Sequence, residues 1–490
     1  MILIVSGMLV SCGDNSKPAE TVHVSVDNSS SADDALESEI DSYIAELSSE
    51  HNFTGKRFTW IGEGVEAPKV EEETGDVQSD ALYNRQRTIE ELFGIDWVNY
   101  IPEGVEGSYN CGTVDAVIED VMAGTGTFNA GYGMENPITQ PLLTQNVLAD
   151  LSTLSYVDFE RPWWPASLLE SYTIGSALYL LNGPIVTFYY QDAACVIYSK
   201  SVAEDYNIPD LYSIVKSGEW TFDKMFEIAE AVPLNQNGTG AYRYGEPEGV
   251  GILIAHGMEV VKFDSLGKPY VEESLTKELS DLSDKFAPIF SDDNQTVHCK
   301  VMSVTGSEKW ESKYGYDTCD SMFADNRILF MFIPIDEAAW LRIEEVEFGI
   351  LPMPKGSAEQ ENYISYADRA STHEVFVPKS CADFEMTDVI LEAMAALGRK
   401  YFKPVFYDNI LKSRSTYDNQ SKEMVDIIFE TKKYDMVALL DKSGSINGDG
   451  SYTTLVSASV VETNVGLASK FKMQGRTMNK HIKELLESIE

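Results

Sequence analysis

Aromatic rings and carboxylates stand beside glycine-rich turns at two places in the first third of the chain. Trp60, Glu63 and Glu66 lie in or next to the turn at 62–64, and Tyr132 lies between two glycines. An aromatic face stacks on the C–H surface of a sugar ring, and planar polar side chains hydrogen-bond its hydroxyls. These residues are therefore candidates for contact with a polyhydroxylated ligand.

The same residue types would also suit a secreted glycosidase, which places paired carboxylates near tryptophans. With 79 acidic residues such pairs arise by chance, so they do not discriminate between binding and hydrolysis. The sequence contains no HExxH zinc motif, no GxxxxGK[ST] phosphate loop and no GxSxG nucleophile elbow. The stretch 441–452 lacks the sixth-position glycine and the final glutamate of a calcium loop, and we interpret it as a surface loop. We predict no catalytic residue, no metal and no cofactor.

The charge balance excludes one class of partner. The 490 residues include 37 Lys and Arg against 79 Asp and Glu, which gives a net charge of −42. This charge repels phosphate backbones and anionic lipid headgroups. Nucleic acid is therefore excluded as a main partner, and membrane association requires an anchor. A hydrophobic content of 43% is typical of folded domains, and the length fits two or three of them.

The N-terminus has the features of an exported lipoprotein. Residues 1–10 are almost wholly apolar, which suits a signal-peptide core and is too short for a membrane-spanning helix. The residues up to Cys12 read LVSC and resemble a bacterial lipobox, whose cysteine carries diacylglycerol after cleavage. A polar stretch follows and predicts a flexible tether. We expect a signal peptide over 1–11, a lipid on Cys12 and a tether over 12–50, which would place the protein on the outer face of a bacterial cytoplasmic membrane. The alternative is a cytosolic protein with an incidental cysteine.

The remaining cysteines do not form a metal motif. They are widely scattered, with no CxxC pair and no Cys/His cluster: Cys111, Cys195, Cys299, Cys319 and Cys381. A zinc site is therefore not predicted. Five is an odd number, so at least one thiol is free, and a bridge between Cys299 and Cys319 stays open.

The candidate residues of the first third follow strands that alternate with helices. The sequence predicts strands over 56–61, 95–101 and 127–130, with one helix that Ser79 caps and that runs through Phe93, and another that begins at Thr113 and is closed by Gly124. Such alternation is typical of a parallel sheet, and ligands of open parallel sheets bind beyond the carboxyl ends of the strands. The turns at 62–64 and 131–133 lie at such ends.

A second block of the chain contains continuous apolar runs that are typical of buried strands, at 193–198, 328–333 and 348–351. Thr221 is predicted to cap the N-terminus of a helix. A further helix is expected from about Thr387 to Gly398, and the chain closes with a helical segment over 480–489.

Four segments in this second block carry a family resemblance. They lie at 195–200, 218–223, 323–328 and 349–354 and read CVIYSK, GEWTFD, FADNRI and GILPMP. In this order they resemble the extracellular solute-binding proteins of ABC importers, in the carbohydrate-binding group that includes maltose-binding protein. Ser199 and Asn326 replace the Asn and Gly that are usual in that family. The resemblance extends over roughly residues 55–480.

The resemblance implies an α/β fold like that of periplasmic binding proteins, with two lobes, a hinge and a ligand cleft between the lobes. By analogy, lobe one comprises 55–192 and 355–405, and lobe two comprises 193–354 and 406–480, with 481–490 ending the C-terminal helix. Asp192 takes the position of a polar ligand contact just before the hinge. Trp340 resembles the aromatic residue of the second lobe that stacks on sugars. Tyr366, Asp368 and Arg369 complete the set, while the pair at 163–164 is either a stacking platform or a structural clamp.

From the residues and the resemblance together we expect a lipid-anchored, monomeric receptor that delivers a sugar or oligosaccharide to the permease subunits of an ABC importer. Closure of the lobes around the ligand would give the transporter two states to distinguish. Two alternatives stay open: a lipoprotein glycosidase, and a binding protein for peptides or amino acids.

Overall fold

The computed structural model describes residues 29–62, 66, 72–102, 112–298, 319–338, 341, 346–367, 372–411, 419–441, 452–463 and 466–489. In this part of the chain Cys319 is disulfide-bonded, whereas Cys195 and Cys381 are free and buried.

The strands, numbered along the chain, are β1 Arg57–Ile61, β2 Asp96–Tyr100, β3 Ala130–Met134, β4 Thr173–Ile174, β5 Ala177–Leu178, β6 Ala194–Ser199, β7 Tyr242–Gly245, β8 Lys262–Phe263, β9 Pro269–Tyr270, β10 Thr296–Val297, β11 Ile328–Pro334, β12 Phe348–Pro352, β13 Ser365–Tyr366, β14 His373–Phe376 and β15 Lys432–Lys433.

The α-helices are α1 Ser29–Glu50, α2 Val77–Phe93, α3 Thr113–Ala123, α4 Gln140–Thr144, α5 Leu168–Tyr172, α6 Lys200–Asp205, α7 Leu211–Lys216, α8 Phe222–Ala229, α9 Gly249–Ala255, α10 Lys277–Phe290, α11 Cys319–Ala324, α12 Phe384–Leu411, α13 Asn419–Glu430, α14 Val437–Leu440, α15 Tyr452–Val461 and α16 Leu467–Ile489. Short 3₁₀ turns at Leu151–Thr153 and Thr187–Tyr190 and a π turn at Glu135–Thr139 complete the helical segments.

The first sheet, called sheet one here, has the strand order β14-β3-β1-β2. Strands β1, β2 and β3 are parallel, which confirms the parallel arrangement predicted from the alternation of strands and helices. Strand β14 comes from a distant part of the chain and pairs antiparallel to β3, with His373 opposite Met134. Four of the five residues in each of β1 and β3 are buried.

The second sheet, sheet two, has the order β10-β7-β11-β6-β12. Strands β10, β7 and β11 are parallel to one another, and β6 runs antiparallel to both β11 and β12. The three apolar runs predicted as buried strands are β6, β11 and β12, and their residues are buried almost throughout. Thr221 caps α8 as predicted, because its hydroxyl accepts the backbone N–H of Lys224 at 3.1 Å.

The third strand of sheet one lies later than the sequence indicated. It spans Ala130–Met134 instead of 127–130, so Tyr132 lies within a strand and not in a loop. The glycines on either side of Tyr132 are needed for packing. A Cβ at Gly131 would lie 2.6 Å from Cγ2 of Ile61, and one at Gly133 would lie 2.4 Å from Cγ2 of Ile138. The glycine signal was therefore mistaken for a turn.

Three helix limits also differ from the prediction. The N-cap of helix α2 lies three residues earlier, because the Asp76 carboxylate rather than Ser79 caps the helix, by accepting the N–H of Ser79 at 2.9 Å. Helix α12 continues past Gly398 to Leu411, since this glycine lets the helix approach the carbonyl of Pro184. Helix α16 begins at Leu467, well before the predicted start of the C-terminal helical segment.

The tether predicted over 12–50 is wrong for its second half. Residues 29–50 form α1, which packs against α2 and α12. Ile40, Ile44 and Leu47 lie on one face of this helix at 0%, 3% and 6% exposure. The spacing of these residues is helical, and this signal outweighs the polar composition around them. Ion pairs add to the contact, including Lys403 with Asp33 at 2.6 Å.

Of the two interpretations left open for Trp163 and Trp164, the structure supports the clamp. Both residues are buried, at 1% and 5% exposure. Their indole N–H groups donate to the two carboxylate oxygens of Glu392 at 2.9 and 2.8 Å. Burial raises the pKa of Glu392 to about 7, and the tryptophan hydrogen bonds oppose this shift.

Candidate functional site

The carboxyl ends of the parallel strands in sheet one define one edge of the candidate site. Strands β1, β2 and β3 end there, and β14 begins there because it runs the opposite way. In sheet two, β7, β10, β11 and β12 end at the edge where β6 begins. The chain enters β6 and β14 at these edges, so the segments that connect the sheets run between them. Ligands of such sheets bind beyond these strand ends.

The segments that connect the sheets lie side by side. Ala193, just before β6, forms a bridge with Ala367, just after β13. Strand β13 in turn pairs in parallel with β15, and the N–H of Ala367 donates to the carbonyl of Lys433 at 2.9 Å. Three crossings of the chain, at 191–194, at 365–367 with 372–373, and at 431–434, therefore meet in one place, which we call the hinge.

Asp192 lies at the centre of this hinge. Its side chain is fully buried and forms an ion pair with Lys432, and it accepts the hydroxyl of Thr372 at 3.2 Å. The Lys432 ammonium also donates to the carbonyl of Tyr189 at 2.8 Å and lies 4.0 Å from the centre of that ring. Burial lowers the pKa of Lys432, and Asp192 opposes the shift. Asp192 thus joins the first crossing to the other two.

Trp60 and Tyr132 lie together at the edge of sheet one. Their rings stack with centroids 5.6 Å apart and planes at 13°, and each residue is 1% exposed. The Tyr132 hydroxyl accepts the backbone N–H of Glu66 at 3.1 Å. The ring of Tyr132 also fills the space where a Cβ at Gly62 would be, only 1.9 Å from its Cε1 atom. The two aromatic residues therefore pack against Gly62 and Glu66, which follow β1.

Glu66 is buried and anchors the loop after β1. One of its oxygens accepts the N–H of Thr187 at 2.6 Å as well as the Thr187 hydroxyl. Its other oxygen lies 4.0 Å from the Arg85 guanidinium. Burial raises the pKa of Glu66, and the positive charge of Arg85 opposes the shift. The loop after β1 is thereby tied to the turn at Thr187–Tyr190, which leads into the hinge.

Arg85 was missed by the sequence analysis. It is 2% exposed, donates to the carbonyl of Ile185 at 2.5 Å and lies over the ring of Phe402. Burial lowers its pKa to about 10, and Glu66 opposes the shift. A signal was available, because residue 85 falls on the same helical face as the buried Leu82 and Ile89. A charged residue on a buried face indicates a buried partner.

A second buried carboxyl group lies where β14 meets the edge of sheet one. Glu374 accepts the hydroxyl of Thr139 at 2.9 Å and that of Tyr172 at 3.2 Å. Burial raises its pKa well above the usual range, and the neighbouring Glu135 adds to the shift. Glu374 was not predicted from the sequence, although it stands directly before the apolar Val375 and Phe376 of β14.

The structure brings five of the predicted contact residues to this region, including Glu66, which lies beside Tyr132. Trp60 and Tyr132 meet at the edge of sheet one, and Asp192 and Tyr366 lie on neighbouring crossings of the hinge, where Tyr366 is 2% exposed. The other predicted residues lie outside the described residues: Glu63, Trp340, Asp368, Arg369 and Cys12.

Within the part of the chain that the structure describes, no group of three or more His, Cys, Asp or Glu side chains could hold a metal ion. None of the described helices has both the length and the apolar character needed to span a bilayer.

By sequence, the chain matches no protein-family model and no curated protein. By structure, it resembles sugar transporter RHE_PF00321 from Rhizobium etli in an open conformation, with a TM-score of 0.52 and 12% identity over 88% of this chain and 98% of that chain. It is also similar to M. tuberculosis UspC, with a TM-score of 0.52 and 9% identity over 87% of this chain and 100% of that one. A third similar structure is the Listeria monocytogenes ABC substrate-binding protein Lmo0181 in complex with cycloalternan, with a TM-score of 0.48 and 11% identity over 88% and 98% of the two chains. The chain therefore shares the fold of the two structures with a TM-score of 0.52, and the two-lobed α/β fold predicted from the sequence is confirmed.

Proposed function

We propose that this protein is a receptor that binds a sugar or oligosaccharide between two lobes and delivers it to the permease of an ABC importer. The observation that carries the proposal is the meeting of three chain crossings between two sheets, next to the carboxyl ends of their parallel strands. A hinge of this kind allows two rigid bodies to close on a ligand. The likeness in fold to a sugar transporter supports a sugar as the ligand.

The proposed lobes follow the predicted boundaries, with 55–192 and 355–405 in lobe one and 193–354 and 406–480 in lobe two. All four strands of sheet one come from the first set of residues, and all five strands of sheet two come from the second. Helix α12 runs across the boundary at 405, which makes it the structural link between the lobes on that side.

For the ligand contacts we propose Glu63, Trp340 and Asp368, on the resemblance in sequence. The direct contact predicted for Trp60, Tyr132, Asp192 and Tyr366 has less support, because all four are buried. Their proposed part is to hold the loop after β1 and the hinge in position.

The ligand can be identified by thermal unfolding of the purified protein in the presence of a panel of mono- and oligosaccharides. A ligand present at 100 times its dissociation constant stabilises the folded protein by about 2.7 kcal/mol, so one class of sugars should raise the melting temperature. Peptides and amino acids form the comparison panel. Stabilisation by those compounds alone would contradict a sugar receptor, and stoichiometric cleavage of a stabilising glycan would favour the glycosidase alternative.

We further propose that Cys12 carries a lipid and that residues 12–28 form the tether. Seventeen residues reach at most about 60 Å when fully extended, which leaves the folded body close to the membrane surface. The Cys12→Ala variant should appear in the medium or keep its signal peptide, as read by fractionation and mass spectrometry. A mature Cys12→Ala protein that still required detergent for release would contradict the lipid anchor.

A further inference from the structure

Two short hairpins, one from each proposed lobe, touch at their tips. The first comprises β4 and β5 at 173–178, and the second comprises β8 and β9 at 262–270. The N–H of Gly175 donates to the carbonyl of Gly267 at 2.8 Å. A Cβ at Gly267 would lie 2.8 Å from the carbonyl oxygen of Gly175, so the two backbones pack with no side chain between them.

The C-terminal helix α16 connects the second hairpin to lobe one by another route. The Asn479 side chain accepts the N–H of Val271 at 2.9 Å and donates to the carbonyl of the same residue at 2.8 Å, one residue beyond β9. About 13 Å further along the helix, the carbonyl of Ser488 accepts the side-chain amide of Asn146 in lobe one. Asn146 is in turn bonded by Lys379, which also belongs to lobe one.

The residues just before each hairpin are hydrogen-bonded to the third hinge crossing or to the residue after it, at Tyr434 and Asp435. Ser171, just before the first hairpin, donates its hydroxyl to the carbonyl of Tyr434 at 3.3 Å. Val261, just before the second, donates its N–H to the Asp435 carboxylate at 3.5 Å. The tips lie several residues beyond these attachment points, so rotation of the lobes about the hinge would separate them. A shift of even about 1 Å takes an N–H···O contact out of hydrogen-bonding range.

We propose that the two hairpins and α16 form an interlobe bracket, made of residues 173–178, 262–270 and 467–489. The bracket lies outside the hinge and favours the lobe arrangement of this structure, so a change between the open and closed states has to break it. This inference rests on the proposed division into two lobes. It assigns a conformational role to segments that carry none of the predicted ligand contacts.

The bracket can be tested by electron-resonance distance measurements on the full chain without added sugar. Spin labels go on cysteines introduced at Met122 in lobe one and Leu234 in lobe two, which are 81% and 43% exposed. In Gly267→Ala the new Cβ collides with the backbone of Gly175. We expect the ratio of the two lobe arrangements to change by between about 2-fold and about 10-fold, the range that one hydrogen bond supplies.

Gly175→Ala is the matched control. Both glycines have left-handed backbones, with φ of +65° at Gly175 and +72° at Gly267, so both variants carry the same kind of strain. A Cβ at Gly175 has its nearest neighbour at 4.0 Å, so it adds no clash. This variant should keep the wild-type distance distribution. A wild-type distribution in Gly267→Ala, or equal changes in both variants, would overturn the bracket.

Asn146→Gly tests the contact between α16 and lobe one. It also provides a second variant in case Gly267→Ala does not fold. Asn146 has φ of +53°, which glycine adopts without strain, and the substitution removes the side chain that reaches Ser488 together with its contact to Lys379 within lobe one. We expect a change in the same direction as for Gly267→Ala, and an unchanged distribution would count against the helix as part of the bracket. Because no sugar is present, these results do not depend on the ligand screen. The distance distributions would reveal the bracket even if the protein bound no sugar.

Discussion

Replacing Lys432 by Met should destabilise the protein strongly, because it leaves a buried carboxylate without its counter-charge. The side chains of Lys432 and Asp192 are 2% and 0% exposed, so solvent cannot take the place of the missing ammonium. Removal of one partner from a buried ion pair costs about 3 to 5 kcal/mol of the free energy of unfolding. The substitution also removes the hydrogen bond to the carbonyl of Tyr189, which lies 2.8 Å from the ammonium.

Urea unfolding followed by circular dichroism measures this loss as a lower midpoint. Lys224→Met is the control, because Lys224 pairs with Glu227 at 2.6 Å on the surface, where the two side chains are 33% and 67% exposed. An exposed helical pair of this spacing contributes less than about 0.5 kcal/mol. The two variants remove the same charge and differ chiefly in burial.

The double variant Asp192→Asn with Lys432→Met separates the charge from the packing. It contains no unpaired buried charge, so it should be more stable than Lys432→Met alone. If Lys432→Met lost no more stability than Lys224→Met, or if the second substitution failed to recover any of the loss, the hinge ion pair would not have the energetic role that its burial indicates.

Three further perturbations test other parts of the structure. Gly62→Ala should cost on the order of 1 to 3 kcal/mol in thermal unfolding, because its Cβ would lie 1.9 Å from the ring of Tyr132, whereas Gly240→Ala has 3.6 Å of space and should be neutral. Ile44→Asp should release α1 from the body and expose residues 29–50 to limited proteolysis, and unchanged protection would contradict the docked helix. Burial raises the pKa of Glu392 to about 7 from an unfolded value of about 4.5, so stability should fall by about 3 kcal/mol as the pH rises through this window. Glu392→Gln should flatten that slope in pH-dependent unfolding, and an unchanged slope would show that other groups cause it.

Local patterns predicted most of the sheets. The apolar runs of β6, β11 and β12 were recognised because a strand buried on both faces has to be apolar throughout. The cap of α8 was predicted from Thr221 alone, since N-cap chemistry depends on a few neighbouring residues. The resemblance in four short segments then led to the correct fold. Each of these signals lies within a few residues of the element it specifies.

The errors arose at residues that pack against a part of the chain that is distant in sequence. Glycines at 131 and 133 and at 398 indicated a turn and a helix end by local criteria, yet each permits close packing against another part of the chain. The helix at 29–50 was predicted as a tether because most of its residues are polar or acidic. Its few apolar residues lie on one face, which is buried because α12 packs against it. The local sequence does not distinguish a glycine required for a turn from a glycine required for close packing against another part of the chain.

The hinge shows why the candidate site was only partly predictable. Asp192 stands immediately before the second sheet, and on that ground it was placed in contact with the ligand. Its actual partners are Lys432, 240 residues away, and Thr372, 180 residues away, and both lie on the returning crossings of the chain. A charge that is fully buried and paired in this way has little left to offer a neutral sugar, since its oxygens are already satisfied. In the proposed receptor, selectivity for the ligand would then depend on the loops beyond the two sheet edges, while Asp192 helps to hold the three crossings together.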